Sequence, residues 1–267
     1  MTVEGKAILE DGSPATILPA TATLEPWADA AAATPFTDDR TAQLWLNQYA
    51  LRPEPQHLAA LLRKSAAWAA HPYIRAGFPA YALAAAPAAA PTFAAGLRDA
   101  DEPTRAMGVV ALRWAGLDAR ALAATLGPEW TTRAEALSIR PDPLALEATA
   151  ARLDETTARM DLAWAWFMAT GRPEPIRAIV DLLRYRDDYS ALRTAQATPG
   201  RKEAADPLAR GVLYATAGWS LASFYATHVL AEDYVRLWRE DGSVPAPIRE
   251  ELRTLLSNEA FRPPKQG

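Results

Sequence analysis

A chain of 267 residues that is 50% hydrophobic and carries nine tryptophans can bury a sizeable core, which excludes global disorder. Its 28 basic and 32 acidic residues give a formal charge of −4 with no basic run, against the clustered Lys and Arg that a grip on nucleic acid requires. With no cysteine, disulfides, thiolate catalysis and cysteine metal sites are all excluded.

In chain order, the only strand signal is in the first 20 residues. "KAIL" and "ATIL" flank "EDGSP", the pattern of a small hairpin around Asp11-Gly12. Residues 1–36 are predicted as an extended or hairpin lead-in, 37–260 as a single helical-repeat-like domain, and 261–267 as a disordered tail. The start lacks a basic segment followed by an apolar one, so the default compartment is the cytoplasm.

From there the pattern is helical. Ala42, Trp45, Leu46 and Tyr49 fall at i, i+3, i+4, i+7, as one face of a helix requires. Leu58, Leu61, Leu62 and Ser65 repeat the spacing, as do Met107, Val110, Ala111 and Trp114, and Ile176, Ile179, Val180 and Leu183. Met160, Trp164, Phe167 and Met168 follow the related i, i+4, i+7, i+8 pattern, as do Ile248, Leu252, Leu255 and Leu256. Ala76 to Leu97 is uncharged and long enough for a bilayer. It is mostly alanine and is interrupted by Pro79, Pro87 and Pro91, so two short soluble helices broken near Pro87 are predicted and no membrane span.

Asp142-Pro143 and Asp206-Pro207 read as helix starts, each offering a side-chain acceptor and then a proline whose missing N–H costs nothing. Asp101 or Glu102 before Pro103 is a looser version. In "GRPEP" Gly171 closes one helix in the left-handed conformation and Pro173 blocks its continuation, making a joint between two helices. Leu208 to Trp238 reads as one long helix or two meeting near Gly218, and one long element with a bend is expected. Pro-x-Arg recurs at Pro103, Pro175 and Pro247, a spacing that two helical hairpins per interval would produce, but chance also yields such triplets in a chain this rich in proline and arginine, so a degenerate superhelix and not a strict repeat is expected. The expected fold is all-α: stacked antiparallel helix pairs in a HEAT- or TPR-like superhelix.

Two segments, "MDLAWAWFMATGRPEPIRAIVDLL" and "AGWSLASFYATHVLAEDYV", resemble a family of uncharacterised bacterial all-helical proteins. Members pair an Asp-x-x-Trp-x-x-Phe-x-Ala-Thr-Gly motif with a later Trp-Ser-Leu and a trailing His. The matching positions are Asp161, Trp164, Phe167, Ala169, Thr170 and Gly171, then Trp219, Ser220, Leu221 and His228. The resemblance spans about residues 70–235 and implies an all-helical, repeat-like fold; it implies no activity. Its members are often exported, which counts against the cytoplasmic default.

The candidate binding residues are Asp161, Trp164, Trp219, His228, Arg184 and Tyr185. Aspartate is a poor interior helix former, so Asp161 either clamps a neighbouring helix or meets a ligand. His228 lies on the apolar row Leu221, Phe224, His228, Ala231, Val235, where a satisfied core histidine is the economical reading. Glu232, one turn on, could join it as a metal ligand, but His57 and His71 are far off in sequence, so no metal site and no cofactor are expected. Arg184 and Tyr185 open "RYRDDYSALR", either a recognition surface or a solvated connection. No phosphate-cradling loop, nucleophile elbow or zinc-protease motif is present. The expected function is therefore a non-catalytic scaffold that binds a protein or peptide on its concave surface. The alternatives are a helical enzyme or small-ligand protein with a pocket near Asp161, Trp164, Trp219 and His228, or a subunit that stabilises an assembly.

Overall fold

The computed structural model describes residues 7–8, 14–15, 35–68, 72–137, 140–197 and 204–257. Among them the chain is all-helical apart from one minimal pairing, Ala7–Ile8 antiparallel to Pro14–Ala15. Two residues per strand, Pro14 among them with no N–H to donate, are too little to support the expected hairpin. The rest of that hairpin and the 261–267 tail lie outside the described residues. The helices group into two compact units.

The first unit lies within Thr23–Asp142 and Trp164–Arg172. Helix α1 (Asp39–Gln48) opens with a capping box: Thr41 N donates to Asp38 Oδ1 at 2.8 Å, and Asp38 N donates to Thr41 Oγ1 at 3.3 Å. It buries Ala42, Trp45 and Tyr49, as its spacing requires. Then come α2 (Leu58–Lys64), α3 (Pro72–Ala85), α4 (Ala90–Leu97) and α5 (Glu102–Trp114). The break between α3 and α4 falls where Pro87 predicts it, with a bend of 115°. No single described helix is long and apolar enough to cross a membrane. Asp101 caps α5, accepting from Thr104 N at 2.9 Å. The short α6 (Arg120–Ala123) and α7 (Pro128–Ala136) complete this part.

In α5 only Ala111 of the predicted row is buried. The buried row is Thr104, Gly108, Val109, Ala111 and Leu112, whereas Met107, Val110 and Trp114 are only half-buried. This helix packs against α2, α3, α4, α6 and α7, so it is covered on several sides and has no single apolar stripe.

Helix α8 (Leu153–Thr170) belongs to both units, with Trp164 onward in the first. It buries Met160, Trp164, Phe167 and Met168. Gly171 closes it at φ 69°, its N–H bonding the Phe167 carbonyl at 2.7 Å, and α9 (Pro173–Asp181) starts two residues later. "GRPEP" is therefore a helix-to-helix joint.

The second unit takes the first part of α8, α9, α10 (Arg186–Ala197), α11 (Ala205–Tyr225), α12 (Val229–Glu240) and α13 (Ala246–Ser257). Three expectations are corrected here. Asp142-Pro143 starts no helix: Pro143 and Leu144 form a turn, and the chain stays irregular until a 3₁₀ turn at Ala150–Arg152. Asp206 does not cap its own helix but accepts from the Ala150 amide at 2.8 Å, 56 residues back. The long element is two helices, and the break falls at Ala226–His228 and not at Gly218, because His228 turns extended (φ −122°, ψ 110°) and becomes the N-cap residue of α12.

The evenly spaced Pro103, Pro175 and Pro247 each sit in the first turn of a helix, as position-dependent tolerance of proline predicts. Their arginines differ in partner. Arg105 donates to the Thr125 carbonyl, Arg177 to the Asp181 carboxylate and Arg249 to the Asp241 carbonyl. They are not equivalent positions of a strict repeat.

Helices α10 and α11 meet at Gly211, where an added Cβ would lie 2.8 Å from the Asp188 carbonyl oxygen and 3.0 Å from Leu192 Cβ. The obstacle is backbone, so it cannot swing aside. Gly211→Ala is expected to cost about 1–3 kcal/mol, read as a lower urea midpoint with an unchanged slope.

Candidate functional site

The resemblance motif in α8 is occupied by packing. Trp164 and Phe167 are 1% and 0% exposed and meet edge to face at 6.0 Å. Thr170 returns its hydroxyl to the Trp166 carbonyl at 2.8 Å. Asp161 is half-buried on the part of α8 that belongs to the second unit.

In the later motif the three residues point different ways. Ser220 and Leu221 are buried, the Ser220 hydroxyl donating to the Ala217 carbonyl at 3.0 Å. Trp219 is 65% exposed. Its neighbours one helical turn away on α11 are Ala215, Thr216, Ala222 and Ser223, all small, so the indole stands above its surroundings. No Asp, Glu, Lys or Arg occurs between Arg210 and Glu232.

Arg184 and Tyr185 lie in a 3₁₀ turn (Leu182–Tyr185) between α9 and α10 and are engaged with each other. Arg184 Nη2 donates to the Tyr185 hydroxyl at 2.9 Å. The Arg184 and Arg210 guanidinium carbons lie 4.8 and 5.7 Å from the Tyr185 ring centre. Arg210 also forks onto Asp188 at 2.8 and 3.3 Å.

Beside them is a network that the sequence does not advertise. Glu251 of α13 is 3% exposed and pairs with Arg186 Nη1 at 2.6 Å. It also accepts a short hydrogen bond from the Tyr214 hydroxyl, and the Tyr214 ring stacks on Tyr189 at 5.0 Å. Burial, with the Glu251 acceptor, pushes the Tyr214 phenol well above its ordinary pKa. A phenol so held keeps its proton near neutrality and directs it at Glu251, so the pair ties α11 to α13.

His228 is 1% exposed, and burial pushes its imidazole down to about 4. A neutral imidazole at neutral pH fits a core position. Its backbone carbonyl accepts from Glu232 N at 3.1 Å, while the Glu232 side chain pairs with Arg236, not with the ring. No cluster of three or more metal-ligating side chains occurs among the described residues. Of the four alternative pocket residues, then, Trp164 and His228 are in cores, Asp161 is half-buried and Trp219 faces solvent.

The first unit has a buried carboxylate of its own. Glu54, 8% exposed, accepts from Trp45 Nε1 at 3.0 Å and pairs with Arg52 at 3.0 Å. No periodicity signals this contact. Comparison with family models, curated proteins and solved structures gave no match.

Proposed function

We propose that the protein is a non-catalytic helical scaffold that binds a protein or peptide partner, its helix pairs stacking in a HEAT- or TPR-like array. The reading is carried by Trp219, an indole 65% exposed in the C-terminal half of a 21-residue helix and flanked along that helix by small uncharged residues. Large apolar side chains cost least when buried, and tryptophan is the residue type most concentrated at binding hot spots. The partner that suits this face is a polypeptide with an uncharged apolar pocket. The near-neutral charge and absence of a basic run favour such a partner over nucleic acid.

Trp219→Ala separates binding from folding. An exposed truncation should change stability by no more than about 0.5 kcal/mol. Loss of a hot-spot indole should weaken partner binding by about 2 kcal/mol or more. Native mass spectrometry of protein drawn from its own cells should show a polypeptide on the parent chain and none on the variant. Equal retention by both, or no polypeptide on either, sinks the scaffold reading.

A further inference from the structure

Residues 143–149 begin in a turn at Pro143 and Leu144, end at the 3₁₀ turn Ala150–Arg152 and belong to no helix or strand. Their backbone is held from outside. Arg159 Nη1 of α8 donates to the Ala145 carbonyl at 2.9 Å, and the Thr156 hydroxyl of α8 donates to the Glu147 carbonyl at 2.6 Å. At the far end the Ala150 amide donates to Asp206 Oδ1 of α11 at 2.8 Å. All of these residues belong to the second unit. Thr156 and Arg159 are three residues apart, hence on one side of α8, and Thr156 there is 1% exposed.

Each fastening has a second arrangement. Arg159 also pairs through Nη2 with Glu155, one turn back on α8, and keeps that partner if the segment leaves. The Thr156 hydroxyl is able to return to its own helix, as the Thr157 hydroxyl does to the Leu153 carbonyl at 3.1 Å. Asp206 sits in the first turn of α11, whose N-cap Ala204 offers no side-chain bond, so its carboxylate is favoured there without Ala150. Lifting the segment therefore exchanges three single hydrogen bonds for others, to the helices or to water. Such an opening lies far below the cost of unfolding the helices beneath it.

We propose that residues 143–149 form a strap that opens and closes as one unit over the first turns of α8, with Thr156, Arg159 and Asp206 as its fastenings. Closed, it covers Thr156; open, it exposes that turn of α8 while the helices keep their packing. The device is independent of Trp219 and of what that indole binds.

Native-state proteolysis of the full chain with a glutamyl endopeptidase reads the opening, because the bond after Glu147 lies in the strap and the bond after Glu155 lies within α8. In the parent, Glu147 should be cut at least about tenfold faster than Glu155. Its rate should be nearly flat in urea below the unfolding transition, since a local opening exposes little surface. Thr156→Val and Asp206→Ala should each speed the cut after Glu147 about five- to tenfold, the loss of one hydrogen bond read through the open population. Asp206 holds Ala150 and not Glu147, so its effect on that cut tests that the strap moves in one piece. Thr157→Val, which removes bonds made only within α8, should leave the rate within about twofold. Equal rates after Glu147 and Glu155 with the same steep urea dependence overturn the proposal, because the segment then opens only when the helices unfold. So does a cut after Glu147 that neither fastening substitution accelerates, or one that Thr157→Val accelerates as much.

Discussion

Trp45→Ala is expected to lower stability by about 4 kcal/mol, within the range for truncating a fully buried large aromatic. Trp45 is 1% exposed and lies edge-on to Phe36, Tyr49 and Phe78 at 5.4, 5.0 and 6.0 Å. Alanine leaves a void among rings that cannot all move inward. It also removes the indole N–H that satisfies buried Glu54, leaving that carboxylate Arg52 alone. Trp45→Phe keeps most of the ring and removes only the donor, so about 1–2 kcal/mol is expected. Urea unfolding followed by far-ultraviolet dichroism measures both. If phenylalanine costs as much as alanine, the hydrogen bond and not the packing holds this corner of the first unit.

What could be read from the sequence follows from the range of each interaction. Met160, Trp164, Phe167 and Met168 share one apolar row within a single helix, so periodicity finds them. Gly171 was legible because its backbone conformation is a local demand. Asp206 was misread because its Asp-Pro pair carries the local signal of a cap while its carboxylate serves an amide 56 residues away. The break at Ala226–His228 has no glycine or proline to mark it. His228 was placed on an apolar row that assumed a continuous helix, yet its burial was anticipated correctly. The Tyr214–Glu251 contact joins residues 37 apart on different helices, which no pattern confined to one helix encodes. The protrusion of Trp219 was equally hidden, since the sequence shows tryptophan in a helix but not which side another helix covers.

The second large effect is a pH dependence carried by His228. Burial lowers its imidazole to about 4 against an ordinary value of 6.5, outweighing a backbone hydrogen bond that acts the other way. Above pH 6.5 the ring is neutral in both folded and unfolded chains, and nothing is lost. Between 6.5 and 4 the unfolded chain takes up a proton that the folded chain refuses, so stability falls as pH falls. The full difference amounts to about 3 kcal/mol, reached near pH 4, below which both states are protonated and this slope vanishes. The Asp118 carboxylate, held down to about 2 by Arg120, acts in a lower window and does not obscure it. Asp233, whose carboxyl is raised by burial and by Glu232, acts with the opposite sign, its contribution being lost as pH rises. Asp233→Asn is therefore the background in which to measure. In that background, urea midpoints at about pH 4.5 and about pH 7 should differ strongly with histidine at 228 and much less with His228→Leu. Equal differences would mean that the imidazole takes up its proton without unfolding the helix turn that encloses it, and the buried core assigned to α12 would have to be redrawn.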